Sequence, residues 1–209
     1  EALGVLVFLR EAAMAFSPAD IALAQSFADQ AVIAIENVRL FNETREALER
    51  QTATADILKV IARSPSDVQP VFEAIASSSN QLIGGFSTAV FRFVDDAVHL
   101  VAFTPTNPQG DAALQAMFPS PIAGSPFAQV LRQGEVIHIP DTESATNVWP
   151  RTREVARLRG YRAMLYCPLV RLQQPIGMIS VTRTEPGPFP EQAIDVLRTF
   201  ADQAVIAIE

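Results

Sequence analysis

An internal repeat constrains the fold of this 209-residue chain more than any other feature of its sequence. Residues Gly4–Glu36 align without a gap to Gly177–Glu209, and 14 of the 33 aligned pairs are identical. Ten of these identities are consecutive, because the sequence Phe27–Glu36 recurs as Phe200–Glu209. Self-similarity at a fixed offset indicates repeated structural units. We therefore expect the last strand and helix of one unit, a connector, and nearly all of a second unit, cut from a larger tandem array.

A long helical connector is predicted between the two copies. No glycine or proline occurs in Ala19–Ser64, and Ser17 followed by Pro18 is typical of a helix start. We expect one continuous helix over about residues 19–63. Along one face of this helix, residues recur at the three-, four- and seven-residue spacings of a coiled-coil seam. The seam includes Ala31, Val38, Phe41, Leu48, Thr52 and Ala55. Two interpretations stay open: a parallel stalk that makes a homodimer, and a single surface helix, which Arg45 and Thr52 in the seam favour.

The remainder of the chain alternates between helical and extended patterns. Helices are predicted over Asp67–Ile83, near Asp111–Met117, over Phe127–Arg132 and Thr152–Arg159, and from Pro190 onward. Strands are predicted over Ser87–Val94, Ala97–Thr104, Glu135–Ile139, Tyr161–Arg171 and Pro175–Arg183. Five strands with helices at both ends and in the middle predict an α+β domain.

The repeat and these patterns together predict the domain boundaries. Residues 1–40 are expected to be the strand and helix that end a preceding unit, 41–64 a helical linker, and 65–209 a complete domain. The strand Leu3–Arg10 then lacks the sheet to which it belongs. We expect it to be displaced, swapped into a neighbouring chain, or loosely packed.

Composition excludes several classes of function. Sixteen basic and 23 acidic residues give a net charge of −7, which disfavours a broad nucleic-acid-binding surface. The longest uncharged run, Ala112–Leu131, contains helix-breaking residues, so no membrane span and no membrane contact are expected. No signal peptide is visible, and one cysteine, Cys167, allows no internal disulfide. These features predict a cytoplasmic protein.

Four segments of the second unit resemble a known family. They are Val136–Asp141, Gly160–Leu169 with its Pro-Leu ending, Pro175–Val181 with its Ile-Gly pair, and the terminal helix from Phe189. Together they resemble the GAF domain, the ligand-sensing module of bacterial sensor kinases, nucleotide cyclases and phytochromes. The resemblance implies an antiparallel sheet of five to six strands flanked by helices, with the end helices on one face and a small-molecule pocket on the other.

The sequence offers little support for catalysis. Its two histidines, His99 and His138, lie in predicted strands outside any recognisable motif, and no His/Cys cluster has metal-ligand spacing. We expect no catalytic residue, no metal and no cofactor in this fragment. The parent protein is expected to be a histidine kinase or a nucleotide cyclase, an inference that rests on analogy.

The ligand motifs of better-known GAF domains are absent. Bilin-carrying members place histidine after the pigment-bearing cysteine, whereas Pro168 follows Cys167 here. The cyclic-nucleotide motif needs an Asn-Lys pair, and the one lysine, Lys59, follows Leu58. Cys167 is therefore expected to be a buried thiol, with a redox sensor as the alternative.

Strand alternation predicts the pocket. In Arg162–Val170, the set Arg162, Met164 and Tyr166 is expected to face the ligand, with Arg162 binding an anionic group. Ala163, Leu165 and Cys167 are expected to face the helices. Apolar walls are assigned to Phe91, Phe93, Ile122, Phe127 and Trp149. An ordinary packed core is the alternative for these aromatic residues.

Two functions compete on this basis. The first is a sensory module of a multi-GAF sensor histidine kinase that binds an unknown small molecule and relays the binding signal through coiled-coil helices. The second is a ligand-free dimerisation spacer in the array, or the sensor of a nucleotide cyclase. The repeat and the connector are compatible with both.

Overall fold

The computed structural model describes residues 3–11, 14–63, 67–123, 128, 134–146 and 148–208. The chain divides into two compact units, residues 1–49 and residues 50–209. A single helix, α1 (Pro18–Arg63), contributes residues to both units. The continuous helix predicted from the run without glycine and proline is therefore confirmed. The domain boundaries proposed at residues 40 and 64 remain predictions.

The first unit contains the start of α1 and the segment before it. Residues 3–10 form no strand and are exposed, including Leu6 and Phe8. The helix start is capped reciprocally, because the Asp20 amide donates to the Ser17 hydroxyl at 3.2 Å while the Ser17 amide donates to the Asp20 carboxylate at 2.9 Å. Arg10 also pairs with Asp20 at 3.0 Å. These hydrogen bonds and the Arg10 ion pair hold the pKa of Asp20 below its usual value.

The second unit is a six-stranded antiparallel sheet with helices on both sides. After α1 the elements are α2 (Gln69–Ile83), β1 (Ser87–Val94), β2 (Ala97–Phe103), α3 (Pro108–Gln115), β3 (Ser120–Pro121), β4 (Ile137–Ile139), α4 (Pro150–Arg159), β5 (Ala163–Arg171), β6 (Gln174–Arg183) and α5 (Glu191–Ile208). The strand order is β3-β2-β1-β6-β5-β4. The predicted α+β class, with helices flanking an antiparallel sheet, is thus confirmed.

Two tight hairpins fix the register of the sheet. Asp95 and Asp96 join β1 to β2 with φ of 50° and 59°, and Leu172 and Gln173 join β5 to β6 with φ of 47° and 65°. Positive φ at both central residues is the geometry that matches the twist of paired strands. Across the second hairpin, Leu165 lies opposite Val181 and Cys167 opposite Ile179.

One face of the sheet is covered by α2, α5 and the end of α1. The largest side chains of this core are almost completely buried: Ile57 of α1, Phe72 and Ile75 of α2, Leu165 and Ile179 of the sheet, and Leu197 and Phe200 of α5. Ala163, Leu165 and Cys167 lie in this core, as strand alternation predicts. The opposite face carries a second core that includes Phe91, Met164 and Tyr166, packed beneath the segments between β2 and β5.

Several element boundaries differ from the predicted ones. Helix α3 begins at Pro108 rather than near Asp111, because Asn107 caps it by accepting a hydrogen bond from the Gly110 amide at 2.8 Å. Helix α4 begins at Pro150 rather than Thr152. A two-residue strand, β3, raises the five predicted strands to six. The turn predicted over Phe127–Arg132 lies outside the described residues apart from Ala128.

Candidate functional site

A small cavity lies between the second face of the sheet and helices α3 and α4. Its volume is about 30 Å³. The sheet contributes Ser87, Ala89 and Phe91 from β1, Met164 and Tyr166 from β5, and Ser180 and Thr182 from β6. The covering segments contribute Leu114, Met117, Phe118, Thr152, Val155, Arg159 and Tyr161. Larger hollows of about 480 Å³ beside β2, about 530 Å³ beside β4 and about 510 Å³ beside the end of α1 and α5 are open clefts at the surface.

Secondary-structure periodicity explains which side chains reach the cavity. Ser87, Ala89 and Phe91 alternate along β1, so all three point to the same face of the sheet. Thr152, Val155 and Arg159 are spaced by three and four residues along α4, so they share one helical stripe. The cavity forms where this stripe of α4 lies over the strands.

Arg159 is the charged residue of the cavity lining. Its side chain is only 3% exposed, and its Nη2 atom donates to the carbonyl oxygen of Thr104 at 2.7 Å and lies 3.2 Å from Oδ1 of Asp111. Its Nε atom donates to the hydroxyl of Thr106 at 3.2 Å. Burial lowers the pKa of Arg159, and the negative charge of Asp111 partly offsets this effect. An arginine still remains protonated in such a site.

The ion pair belongs to a wider set of contacts between α3 and α4. Asp111 also accepts hydrogen bonds from the backbone amide and the hydroxyl of Thr106, both at 3.0 Å. Asn107 donates from Nδ2 to the carbonyl oxygen of Leu158 at 3.0 Å. Gly160 then ends α4 in the left-handed conformation, with φ of 91°, which directs the chain into β5. These contacts hold the guanidinium of Arg159 in place.

Two tyrosines line the cavity beside Arg159. Tyr161 and Tyr166 are 5% and 4% exposed. Burial raises the pKa of Tyr161 to about 12, although the nearby charge of Arg159 opposes this rise. Burial also raises the pKa of Tyr166 well above the usual value, and neighbouring Tyr161 adds to the effect. Both phenols are therefore neutral hydrogen-bonding groups at physiological pH rather than acids or bases.

Thr152 contributes a buried hydroxyl whose hydrogen-bonding capacity is unused. Its side chain is 5% exposed and lines the cavity, and its Oγ1 atom has no hydrogen-bond partner in the described part of the chain. Nearly all buried polar atoms in native proteins are hydrogen-bonded. An unpartnered hydroxyl beside a cavity therefore marks a position where a bound molecule would be stabilised.

The structure brings together some of the residues predicted to bind a ligand. Phe91, Met164 and Tyr166 line the cavity, whereas Phe93 and Ile122 are half-buried and pack against the same core without lining it. Trp149 is half-buried at the residue preceding α4, outside the lining. Phe127 lies outside the described residues. A ligand role for these side chains remains a prediction.

The predicted anion-binding residue Arg162 lies outside the cavity. Its side chain is 44% exposed and forms a two-pronged pair with Asp141, from Nε to Oδ1 at 2.9 Å and from Nη2 to Oδ2 at 3.0 Å. Strand β5 begins one residue later, at Ala163, so the alternation that was applied to Arg162 does not extend to it. The hydrogen bond from the backbone amide of Glu143, together with those from the side chains of Arg162 and Ser144, lowers the pKa of Asp141.

Sequence reasoning missed Arg159, Thr152 and Tyr161 as cavity residues. The spacing of Thr152 and Arg159 on a predicted helix could have revealed that they share a face, but it does not say which way that face points. Arg157, two positions before Arg159, lies on the outside and pairs with Glu143 at 2.6 Å. Only the way in which α4 packs against the sheet decides that Arg159 is buried and Arg157 is exposed.

Cys167 lacks the features of a reactive thiol. Cys167 is 1% exposed on the helix-covered face, and burial raises the pKa of its thiol to about 12, far from the low value of a reactive thiolate. Within the described ranges, no group of three His, Cys, Asp or Glu side chains is placed to hold a metal ion. No described helix is both long and apolar enough to cross a membrane.

Comparisons with solved structures place the fold of the second unit. A GAF domain/HD domain protein from Geobacter sulfurreducens is 21% identical, with a TM-score of 0.60 over 68% of this chain and 92% of that one. The GAF domain of a phosphoenolpyruvate-protein phosphotransferase from Coxiella burnetii is 14% identical, with a TM-score of 0.62 over 78% and 94%. A domain assigned to a two-component sensor histidine kinase of Sinorhizobium meliloti 1021 is 18% identical, with a TM-score of 0.56 over 68% and 91%.

No curated protein matches the chain. The family model for the GAF domain matches residues 65–209, which is well over half of the sequence and includes every strand of the sheet. The six-stranded antiparallel sheet with flanking helices agrees with this match. The chain therefore belongs to the GAF domain family.

Proposed function

We propose that this chain is a regulatory module that binds a small molecule in the cavity beneath α4. GAF domains are sensory and regulatory modules of signalling proteins, and ligand binding would explain why the cavity is lined with polar groups. The observation that carries the proposal is the unpartnered hydroxyl of Thr152 beside a buried, charged Arg159. Polar groups of this kind are costly in a packed apolar core, whereas ligand sites commonly contain a few of them.

The relay we propose runs through the helices on the other face of the sheet. Ile57 of α1 is buried in the same core as Phe200 of α5 and Leu165 of β5, and Leu165 lies between cavity residues Met164 and Tyr166. A ligand that shifts β5 would therefore act on the packing of both helices. Such a relay needs two helix arrangements with different affinities for the ligand.

We further propose that residues 4–36 are the end of a preceding GAF unit in a multi-GAF protein. By the repeat, Phe27 corresponds to Phe200 and Phe8 to Val181. Phe200 and Val181 are 1% and 0% exposed in the second unit, whereas Phe27 and Phe8 are 50% and 46% exposed. Large apolar residues at positions that the fold normally buries support a missing sheet and helix above them.

A homodimer formed through α1 is part of the same proposal. Two residues of the predicted coiled-coil seam, Phe41 and Leu48, are 68% and 62% exposed. Exposed apolar side chains at heptad spacing are buried when a second copy of the helix packs against them. This arrangement supports the stalk over the surface-helix interpretation.

For the parent protein we propose a cytoplasmic sensor histidine kinase, with this chain as a non-enzymatic part of it. The likeness to the Sinorhizobium meliloti domain is compatible with that context, though it extends only to the fold. A nucleotide cyclase is the alternative. This choice of output domain rests on analogy with relatives, and the complete sequence of the encoding gene tests it directly.

A ligand-free spacer is the second candidate function. The observation that favours it is the cavity volume of about 30 Å³, since ligand sites for drug-sized molecules are commonly ten times larger or more. In this case the sheet would serve only to orient α1 and α5.

Native mass spectrometry of the freshly purified chain distinguishes the two candidates. A sensor is expected to carry or accept a discrete non-covalent adduct. Ala89→Val, which places two extra methyl groups in the cavity, should abolish the adduct, while Thr142→Val, a buried change away from the cavity, should retain it. A clean apo mass that does not change with added small molecules would favour the spacer.

A further inference from the structure

The cavity presents hydrogen-bond donors and a single kind of charge. Within the described lining, the ionisable groups are Arg159 and the two neutral phenols Tyr161 and Tyr166, and no carboxylate, lysine or histidine is among them. The other polar groups of the lining are hydroxyls, Ser87, Thr152, Ser180 and Thr182. A hydroxyl can donate to a bound oxygen, and a guanidinium can only donate. The chemistry of the lining therefore favours a molecule that supplies acceptor oxygens.

Arg159 retains donor capacity after its protein contacts are satisfied. Its hydrogen bonds and ion pair in the described chain use Nη2, to Thr104 and Asp111, and Nε, to Thr106, and its Cζ atom lies 5.5 Å from the centroid of the Phe103 ring. The Nη1 atom has no partner among these residues. Asp111 is itself stabilised by two hydrogen bonds from Thr106, so it does not depend on Arg159 alone. A second acceptor group could thus share the guanidinium without expelling Asp111.

Thr152 supplies an independent indication on the same helical stripe. Its buried hydroxyl is unpartnered, and it lies seven residues before Arg159, or about two helical turns. Thr142 also has a buried, unpartnered hydroxyl, but it lies in the segment between β4 and α4 and does not line the cavity. Both threonines therefore have a buried hydroxyl without a hydrogen-bond partner, but only the hydroxyl of Thr152 can reach a molecule in the cavity.

The size of the cavity limits the ligand. A volume of about 30 Å³ is roughly twice the 10–15 Å³ needed for one water molecule. It admits two or three groups of that size, which corresponds to formate or acetate. A nucleotide or a tetrapyrrole would require the covering helices to move away.

We propose that the cavity is a site for a small carboxylate of the size of formate or acetate, held by the guanidinium of Arg159 and the hydroxyl of Thr152. This inference rests on the proposed ligand-binding function and names the chemical class of its ligand. The carboxylate oxygens accept hydrogen bonds from donors that the protein leaves unused, and the methyl group of acetate lies against the apolar part of the lining, which includes Phe91 and Val155.

The test is a titration of the whole chain with sodium acetate and sodium formate, monitored by NMR and by thermal unfolding at constant ionic strength. Acetamide serves as the uncharged analogue of acetate, and benzoate as an anion too large for the cavity. Acetate has four non-hydrogen atoms, and the best small ligands gain about 1.5 kcal/mol per atom, so its dissociation constant can be no tighter than roughly 40 μM. Titrations in the millimolar range are therefore needed. We expect saturable binding of acetate and formate, and at least tenfold weaker binding of acetamide and benzoate.

A pair of matched variants then locates the site. Thr152→Val and Thr142→Val each replace an unpartnered buried hydroxyl with a methyl group, so each should leave the apo protein equally or more stable. Thr152→Val should weaken acetate binding about tenfold, whereas Thr142→Val should leave it unchanged. Arg159→Lys, which keeps the charge but loses the planar fork, should also weaken it.

The outcomes separate this inference from the proposed function. If acetamide binds as tightly as acetate, or if the two threonine variants bind acetate equally, the carboxylate assignment is wrong while ligand binding stands. If no compound binds and native mass spectra show only the apo chain, the proposed sensory function fails and this inference fails with it.

Discussion

Gly177 and Gly4 occupy equivalent positions in the repeat but meet very different surroundings. A Cβ atom on Gly177 would lie 2.2 Å from the carbonyl oxygen of Phe91 and 3.3 Å from Cα of Arg92. Both contacts are with the backbone of β1, which cannot rotate away. A Cβ atom on Gly4 would meet nothing within 4 Å. Strand packing thus requires glycine at position 177, whereas position 4 has room for a side chain.

We expect Gly177→Ala to destabilise the second unit by about 3 kcal/mol, because the clash separates β1 from β6. Gly4→Ala is the matched control and should change the free energy of unfolding by less than about 0.5 kcal/mol. Urea denaturation followed by circular dichroism measures both. Equal effects of the two substitutions would contradict the close strand contact at Gly177.

The buried phenols make stability depend on pH in the alkaline range. The pKa of Tyr161 is about 12 in the folded chain, against 10.0 when unfolded. Deprotonation therefore favours the unfolded chain, and the stabilisation present below pH 10 is lost as the pH rises towards 12. A shift of two units corresponds to about 3 kcal/mol at the end of this range.

We expect the urea midpoint to fall steeply between pH 10 and pH 12, and we expect Tyr161→Phe to flatten this decline. Phenylalanine keeps the ring in the core but has no proton to lose. The comparison is made within each variant, between pH 8 and pH 11.5, so that any constant change in stability cancels. An unchanged slope in Tyr161→Phe would show that Tyr161 ionises without unfolding.

At the scale of elements, two of the four arginines of α4 have opposite environments. Arg159 is 3% exposed and pairs with Asp111, whereas Arg157 is 65% exposed and pairs with Glu143. Removing one partner of a buried pair leaves an uncompensated charge in the interior. Removing one partner of an exposed pair leaves a charge that water solvates.

Asp111→Ala is therefore expected to destabilise the second unit by about 3 kcal/mol or more, and to loosen α3 from α4. Glu143→Ala should leave the free energy of unfolding almost unchanged, because water solvates the exposed Arg157. Chemical denaturation gives the stability, and hydrogen exchange of α3 amides reports the local loosening. Similar costs for the two variants would mean that water reaches Arg159 in solution.

At the scale of the whole molecule, the second unit contains a complete core. Its helix-covered face is formed by residues from Ile57 to Ala204, all of which lie within residues 50–209. In the first unit, by contrast, the large apolar residues Leu6, Phe8 and Phe27 are all at least 46% exposed. The cooperative stability of the chain is thus concentrated in residues 50–209.

We expect a chain of residues 50–209 to unfold cooperatively with a melting temperature within a few degrees of the full chain, because deleting residues 1–49 removes few buried side chains. Differential scanning calorimetry measures this. Sedimentation of the same two chains tests the proposed stalk, since the full chain should dimerise more tightly than the shorter one. Failure of residues 50–209 to fold would show that the second unit depends on the first.

The sequence determined those features that arise from local spacing. The absence of glycine and proline specified α1, and the period of two placed Ala163, Leu165 and Cys167 on one face of β5. Each of these depends on the geometry of a single element, which neighbouring residues set.

The tertiary structure alone decided which arginine enters the cavity. Arg162 was expected there, but it lies one residue before β5 and is held outside by Asp141, while Arg159 is directed inwards by Asp111, Thr104 and Thr106. The partners of Arg159 lie about 50 residues away along the chain. The orientation of α4 follows from these long-range contacts, and no pattern within the helix encodes which of its faces meets the sheet.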